Sequence, residues 1–64
     1  MKKEDDDQFI VEFVSRGRYL KVSAIDPVTG IEVSVVGGAD KISEKLLEKQ
    51  AVRKLKKAIK AQQG

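Results

Sequence analysis

Two residue types that carry out much of enzyme chemistry are missing from this sequence. Its 64 residues include no cysteine and no histidine. Without cysteine the chain has no disulfide, no thiolate nucleophile and no thiolate metal ligand. Without histidine it lacks the side chain that most often acts as a general base or a metal ligand near neutral pH. We therefore expect a non-enzymatic protein with no catalytic residues, no cofactor and no metal site.

The residues that remain form only weak candidates for chemistry. Glu12 and Glu32 could form a carboxylate pair, but positions on an open sheet lack the desolvation that tunes a catalytic group. The glycines of VVGGAD, 35–40, match neither the dinucleotide-binding fingerprint nor a P-loop. The acidic run EDDD, 4–7, lacks the ligand spacing and central glycine of a calcium loop. Surface and loop roles explain these features better.

The chain is short and mildly basic, with a net charge of +3. A chain of this length forms one domain at most. Its stability as a monomer is marginal, and small domains of this kind are often stabilised by oligomerisation. Residues 1–8 are charged and lack hydrophobic periodicity, which predicts a disordered acidic tail before a single domain over 9–63. The start lacks the apolar core of a signal peptide, and no apolar run is long enough to span a bilayer. We expect a cytoplasmic protein with no membrane partner.

Three β-strands are predicted in the first two thirds of the chain. Segments 9–16, 18–25 and 31–36 combine β-branched and aromatic residues with near-alternating polarity. Gly17 separates the first two, since a tight hairpin turn needs a positive φ. The stretch DPVTG, 26–30, separates the second pair with an Asp that can cap a turn, a proline that presets φ and a glycine for the left-handed position. This pattern predicts an antiparallel meander.

Turn spacing predicts which residues face each other. A two-residue turn at Arg16 and Gly17 would place Ser15 opposite Arg18. The pairs that follow are Phe13 with Leu20, Val11 with Val22, and Phe9 with Ala24, with Glu12 opposite Lys21 on the other face. A four-residue turn over 27–30 adds the pairs Ala24 with Val33 and Val22 with Val35. In this register one face of the sheet is apolar throughout, which is typical of a sheet buried on one side.

The second face of the predicted sheet is more apolar than a solvated face needs to be. Its apolar residues are Ile10, Val14, Tyr19, Ile25 and Val36. Scattered apolar residues are ordinary on protein surfaces, whereas a contiguous patch marks an interface. Two interpretations therefore stay open, an ordinary surface and a self-association surface.

A single helix is predicted over 43–63, with Ser43 as the N-cap and Asp40 as a rival cap. Its apolar stripe consists of Leu47, Ala51, Leu55 and Ala58, widened by Val52 and Ile59. The opposite side is cationic and consists of Lys45, Lys49, Arg53, Lys56 and Lys60. The stripe suits a helix that packs on the apolar face of the sheet. The fold class predicted is therefore α+β, a three-stranded antiparallel meander with one C-terminal helix packed on one face.

The cationic side of the helix is the strongest charge feature, since no acidic residue follows Glu48. A cationic row can neutralise phosphates, and Arg16, Arg18 and Lys21 on the first hairpin could extend it. The alternative is that these lysines only keep the helix soluble and complement its dipole. Of the aromatic residues only Tyr19 is free to stack on a base, because both phenylalanines are assigned to the core.

The stretch EFVSRGRYLKVSAIDPVTGIEVSVVG, 12–37, followed by AVRKLKKAI, 51–59, resembles a family of very small bacterial proteins of unknown function. The resemblance extends over residues 9–60, and its motifs are turn residues, core alternation and the helix stripe. It implies no activity, cofactor or partner for any position. The predicted layout is also similar to the sheet-reading DNA-binding domains of the plant AP2 and integrase N-terminal type, a likeness of fold alone.

Two functional hypotheses follow from the sequence. The first is a small non-enzymatic binding or assembly module, whose partner is another protein or a second copy that contacts the outer sheet face. The alternative is a nucleic-acid-binding domain that uses the cationic helix and the first hairpin.

Overall fold

The computed structural model describes residues 8–63, and these fold as the sequence predicts, into an α+β domain. The elements are β1 (Ile10–Arg16), β2 (Tyr19–Ile25), β3 (Glu32–Gly38) and α1 (Glu44–Gln63). The strands form one antiparallel sheet in the order β1-β2-β3, and the helix packs on it. The predicted fold class is confirmed. The predicted acidic tail lies outside the described residues, except for Gln8.

The register predicted for the first hairpin is wrong by two residues. Arg16 pairs with Tyr19, so the turn residues are Gly17 and Arg18. Gly17 has a φ of +57° and Arg18 does not adopt a positive φ, which is the pattern of a type II′ turn with glycine at its first central position. The pairs become Phe13 with Val22, Val11 with Ala24 and Glu12 with Ser23, so Glu12 does not face Lys21. A shift of two residues keeps every side chain on its predicted face.

The second hairpin has the predicted register, with Val22 opposite Val35 and Ala24 opposite Val33. Its turn is organised by Asp26, which is only 6% exposed. Asp26 Oδ1 accepts from the Val28 amide at 3.0 Å, and Oδ2 accepts from the Thr29 hydroxyl at 2.9 Å. Gly30 takes the left-handed position with a φ of +80°. The buried carboxylate therefore has its hydrogen bonds within the turn, as a buried charged group requires.

The third strand is longer than predicted, because Gly37 and Gly38 pair with Leu20 and Tyr19 instead of ending the strand. A Cβ atom on Gly37 would lie 2.6 Å from Ile42 Cγ2 and 3.1 Å from Leu47 Cδ2. The absence of a side chain at Gly37 therefore lets the loop and the helix approach the sheet closely.

The helix begins as predicted. The Ser43 hydroxyl accepts from the Leu46 amide at 3.1 Å, which is the hydrogen bond of an N-cap. Glu44 lies in the first turn and Lys60 in the last turn, where each charge complements the helix dipole.

The core lies between the helix and the second and third strands. The buried apolar residues are Leu20, Val22, Ala24, Leu47, Ala51, Val52 and Leu55. Partly buried around them are Phe9, Val11, Ile31, Val33, Val35, Ile42 and Ile59. The prediction that Phe13 belongs to this core is wrong, because its side chain is 43% exposed. A helix about 10 Å wide covers roughly two strands spaced about 4.8 Å apart. Since α1 packs on β2 and β3, the Phe13 end of β1 is left uncovered.

We expect Gly37→Ala to destabilise the fold by about 1–3 kcal/mol, the usual cost of overpacking. The matched control is Gly38→Ala, whose added Cβ would meet nothing closer than 3.5 Å. Urea denaturation followed by circular dichroism measures both changes. Equal free energies of unfolding for the two variants would show that the close approach at Gly37 is not needed.

Candidate functional site

The outer face of the sheet, opposite the helix, holds all five residues predicted for self-association. The register arranges this face in four rows across the strands: Ile10–Ile25–Glu32, Glu12–Ser23–Ser34, Val14–Lys21–Val36 and Arg16–Tyr19–Gly38. Two apolar groups result. One is the Ile10–Ile25 pair, and the other consists of Val14, Val36 and Tyr19 around Lys21. The row of Glu12, Ser23 and Ser34 separates them.

Most of these apolar side chains are exposed. Tyr19 is 63% exposed and Val36 is 61% exposed, while Ile10 and Val14 are each close to half exposed, at 48% and 47%. Ile25 is half-buried beside them. The row that separates the two groups is polar. Two of its side chains bond to each other, because the Ser23 and Ser34 hydroxyls form a hydrogen bond at 3.1 Å. The outer face therefore presents apolar area at both ends of a polar centre.

A shallow open depression of about 370 Å³ lies at the hairpin end of this face. Its lining residues are Val14, Arg16, Tyr19 and Lys21. They come together because Arg16 pairs with Tyr19 and Val14 pairs with Lys21 on the neighbouring strand. The depression thus combines an exposed aromatic ring with two cationic side chains, a pairing of groups that suits a planar or anionic ligand.

The structure separates the two sets of cations that the sequence suggested as one polyanion surface. Those on the helix are all exposed, and they are Lys45, Lys49, Arg53, Lys56 and Lys60. They lie on the side of α1 away from its buried stripe, and hence away from the sheet. Arg16 and Lys21 lie on the outer face, and Arg18 lies in the turn. One flat ligand cannot contact both sets, because the sheet and the helix lie between them.

The weaker candidates for chemistry stay apart in the fold. Glu12 and Glu32 lie on β1 and β3, which are separated by β2 and belong to different rows. Within residues 8–63, no three acidic side chains lie close enough to hold a metal ion. The acidic run 4–7 lies outside the described residues. The glycines of VVGGAD serve strand pairing and close packing.

Two features of the surface were missed in the sequence. Phe13 is exposed on the helix side of β1, although alternation alone places it in the core. Lys54 lies next to the buried stripe of α1 and apart from the cationic row, and its Nζ donates to the Ser34 carbonyl at 3.1 Å. The width of one helix against three strands is the signal that could have revealed the first feature. A contact between residues 20 positions apart leaves no such signal.

The family model for a domain of unknown function, DUF6898, matches residues 6–63 of this chain. The chain belongs to the DUF6898 family. The match includes every strand and the helix described above, and it confirms the predicted resemblance to a family of unknown function. Searches of curated proteins and of solved structures each found no match. In the described part of this DUF6898 domain, no helix is both long and apolar enough to cross a membrane.

Truncation of a buried phenylalanine to alanine costs about 3–5 kcal/mol. We expect Phe13→Ala to destabilise the domain by much less than this. The reason is that the helix leaves this ring partly in solvent. Leu55→Ala, at a fully buried position, serves as the comparison and should cost about 2–5 kcal/mol. Thermal and urea unfolding of both variants provide the measurement, and comparable losses would place Phe13 in the core after all.

Proposed function

We propose that this protein is a small, non-enzymatic, cytoplasmic assembly module whose interface is the outer face of its sheet, including contacts between its own copies. The observation that carries the proposal is the exposure of Tyr19, Val36, Ile10 and Val14 on one face that no other element of residues 8–63 covers. Val14, Val36 and Tyr19 lie close together around Lys21, and a contiguous exposed group of this kind marks an interface.

The composition of the outer face fits protein binding. Interface centres are enriched in tyrosine and depleted in charge, and a polar rim surrounds them. The hairpin end of the face has part of this composition, with Tyr19, Val14 and Val36 around the Lys21 side chain and Arg16 opposite Tyr19. Binding would also stabilise the fold, since any ligand of the folded state shifts the folding equilibrium toward it. A chain of 64 residues has more need of this stabilisation than a large domain has.

The arrangement of polar groups supports a binding role over catalysis. Catalytic groups need a positioned partner and a site that excludes water. Glu12, Glu32 and Lys21 instead lie exposed on an open sheet, and Ser23 is hydrogen-bonded to Ser34.

We expect Val36→Lys to weaken self-association at least tenfold, because it replaces an exposed apolar side chain with a second charge beside Lys21. Val28→Lys is the matched control, since Val28 is 83% exposed but lies in the turn after β2. Sedimentation velocity from about 10 μM to 1 mM, the range of modest affinities, measures the dissociation constant. Equal effects of the two substitutions would contradict an interface on the outer face.

A second candidate function is polyanion binding at the hairpin depression. The specific observation in its favour is that Tyr19, with 63% of its surface exposed, lines the same depression as Arg16, its partner across the hairpin, and Lys21. Single-stranded nucleic acid binds where bases stack on aromatic rings and cations contact the phosphates. The sequence predicted a nucleic-acid-binding domain that uses both the cationic helix and the first hairpin. This candidate keeps the first hairpin and leaves out the helix.

For this candidate we expect labelled single-stranded oligonucleotides to bind at low salt and to weaken steeply as salt rises. Tyr19→Ala should reduce affinity by about fivefold to a hundredfold, which corresponds to the loss of one stacked base. Arg53→Gln, on the far side of the helix, should change little. Fluorescence anisotropy measures the wild type, these two variants and Arg16→Gln. Equal losses for Arg16→Gln and Arg53→Gln would indicate diffuse charge attraction, and no binding at low salt would remove this candidate.

A further inference from the structure

We propose that the free edge of β1 binds β1 of a second copy, antiparallel, and joins the two sheets into one sheet of six strands. The inference rests on the proposed assembly function and names both the partner and the contact. It concerns the edge of the sheet, whereas the proposal above concerns its outer face, so the two can fail separately.

The pattern of hydrogen bonds between β2 and β3 shows which backbone groups face which neighbour. The Asp26 amide donates to the Ile31 carbonyl at 2.9 Å, and the Ala39 amide donates to the Arg18 carbonyl at 2.7 Å. These two bonds join opposite residues just beyond either end of the ladder. In an antiparallel ladder, hydrogen-bonded and non-bonded pairs alternate. The even-numbered residues of β2 therefore bond to β3, and its odd-numbered residues bond to β1.

The same alternation fixes the direction of the backbone groups in β1. The register pairs the odd-numbered residues of β2 with Ile10, Glu12, Val14 and Arg16. The N–H and C=O groups of Val11, Phe13 and Ser15 consequently point to the open edge. Among residues 8–63 no hydrogen bond from another part of the chain reaches these edge groups. They form a row of donors and acceptors that a further strand can use.

Two outward carbonyls on the opposite edge of the sheet are already bonded within the chain. On β3 the even-numbered residues face outward, and the Ser34 carbonyl accepts from Lys54 Nζ at 3.1 Å. The Gly38 carbonyl accepts from the amides of Lys41 and Ile42, at 2.9 and 3.2 Å. A charged side chain and a tight turn thus occupy groups on β3 that would otherwise be open, and both are known protections of edge strands.

The side chains of β1 provide no comparable protection. The strand IVEFVSR contains no proline and no lysine, and its register runs through seven consecutive pairs without a bulge. Both of its faces carry exposed apolar side chains, Phe13 on the helix side and Ile10 and Val14 on the outer side, where they alternate with Glu12 and Arg16. When strands of two chains pair at an open edge, the pairing buries exposed apolar area of this kind.

Charge complementarity selects a register for two copies. When Val14 faces Val14 of the second copy, Glu12 faces Arg16 of the second copy, and the two-fold symmetry repeats this pair. Phe13 then lies opposite Ser15 of the second copy, so the outward backbone groups of both strands meet in hydrogen bonds. A register centred on Glu12 would instead place two carboxylates opposite each other. The charges of β1 are therefore self-complementary in the register centred on Val14.

The decisive experiment reverses these charges. Glu12→Arg and Arg16→Glu each place like charges opposite one another twice across the seam, and we expect each to raise the dissociation constant at least tenfold. The double variant Glu12→Arg/Arg16→Glu restores opposite charges and should return to within about threefold of the wild-type value, as a coupled pair does in a double-mutant cycle. A double variant as weak as the single variants would overturn the proposal.

A backbone variant tests the hydrogen bonds directly. Ser15→Pro removes an N–H that points to the open edge, so it should weaken association while the β1–β2 ladder remains. Ser15→Ala keeps the N–H and is the control, and circular dichroism checks that both fold. If Ser15→Pro does not fold, the amide exchange of wild-type Phe13 and Ser15 decides, since both should slow as protein concentration rises. Exchange rates independent of concentration would overturn the proposal.

The same measurements separate this proposal from the one on the outer face. Loss of association in Val36→Lys, with wild-type behaviour in Ser15→Pro and in both charge variants, would overturn edge pairing and retain the outer face. The reverse pattern supports edge pairing and removes the outer face as the contact between copies.

Discussion

The width of its single helix determines which strands of this domain are covered and which are left exposed. An α-helix spans roughly two strands of a sheet, and this sheet has three in its described residues. The helix packs over β2 and β3, where Leu47, Ala51 and Leu55 become fully buried. The exposed features of the domain follow from this position of the helix. Phe13 lies beyond the helix, β1 keeps an open edge, and the cations of the helix face away from those of the hairpin.

Close approach of the helix makes this small core effective. Gly37 leaves room for Ile42 and Leu47 against β3, so apolar atoms meet without a gap at the position where the loop leads into the helix. Dense contact of this kind is a main source of stability for a small chain that has no cysteine to form disulfides. The turn at Asp26 and the cap at Ser43 fix the chain at two of the places where it changes direction around that core.

Local chemistry made much of the fold predictable. Asp26, Gly30 and Ser43 each have a role that few other residue types could fill, so the second hairpin and the helix start were predicted correctly. Gly17 was ambiguous, because a two-residue turn accepts glycine at its first or its second central position, and both choices give the same apolar face. Phe13 shows a second limit. Alternation along a strand predicts the face of a side chain, but not whether a distant helix reaches it.

The candidate surfaces were predictable in part. Strand parity placed Ile10, Val14, Tyr19, Ile25 and Val36 on one face, and the structure has them there. The direction of edge backbone groups and the contact of Lys54 with Ser34 depend on tertiary packing, which the sequence pattern does not encode. Membership in DUF6898 adds a family but no activity, so the functional proposals depend on these surfaces.

The hydrogen bond from Lys54 to Ser34 has a consequence for how large an assembly can grow. A sheet with two open edges can add strands at both ends, and its growth has no natural stop. In the proposed pair each copy uses its β1 edge once, and the β3 edge that remains has its Ser34 and Gly38 carbonyls already bonded within the chain. Together with the turn at Gly38, the Lys54 contact therefore disfavours further strand addition at β3 once two copies have paired through β1.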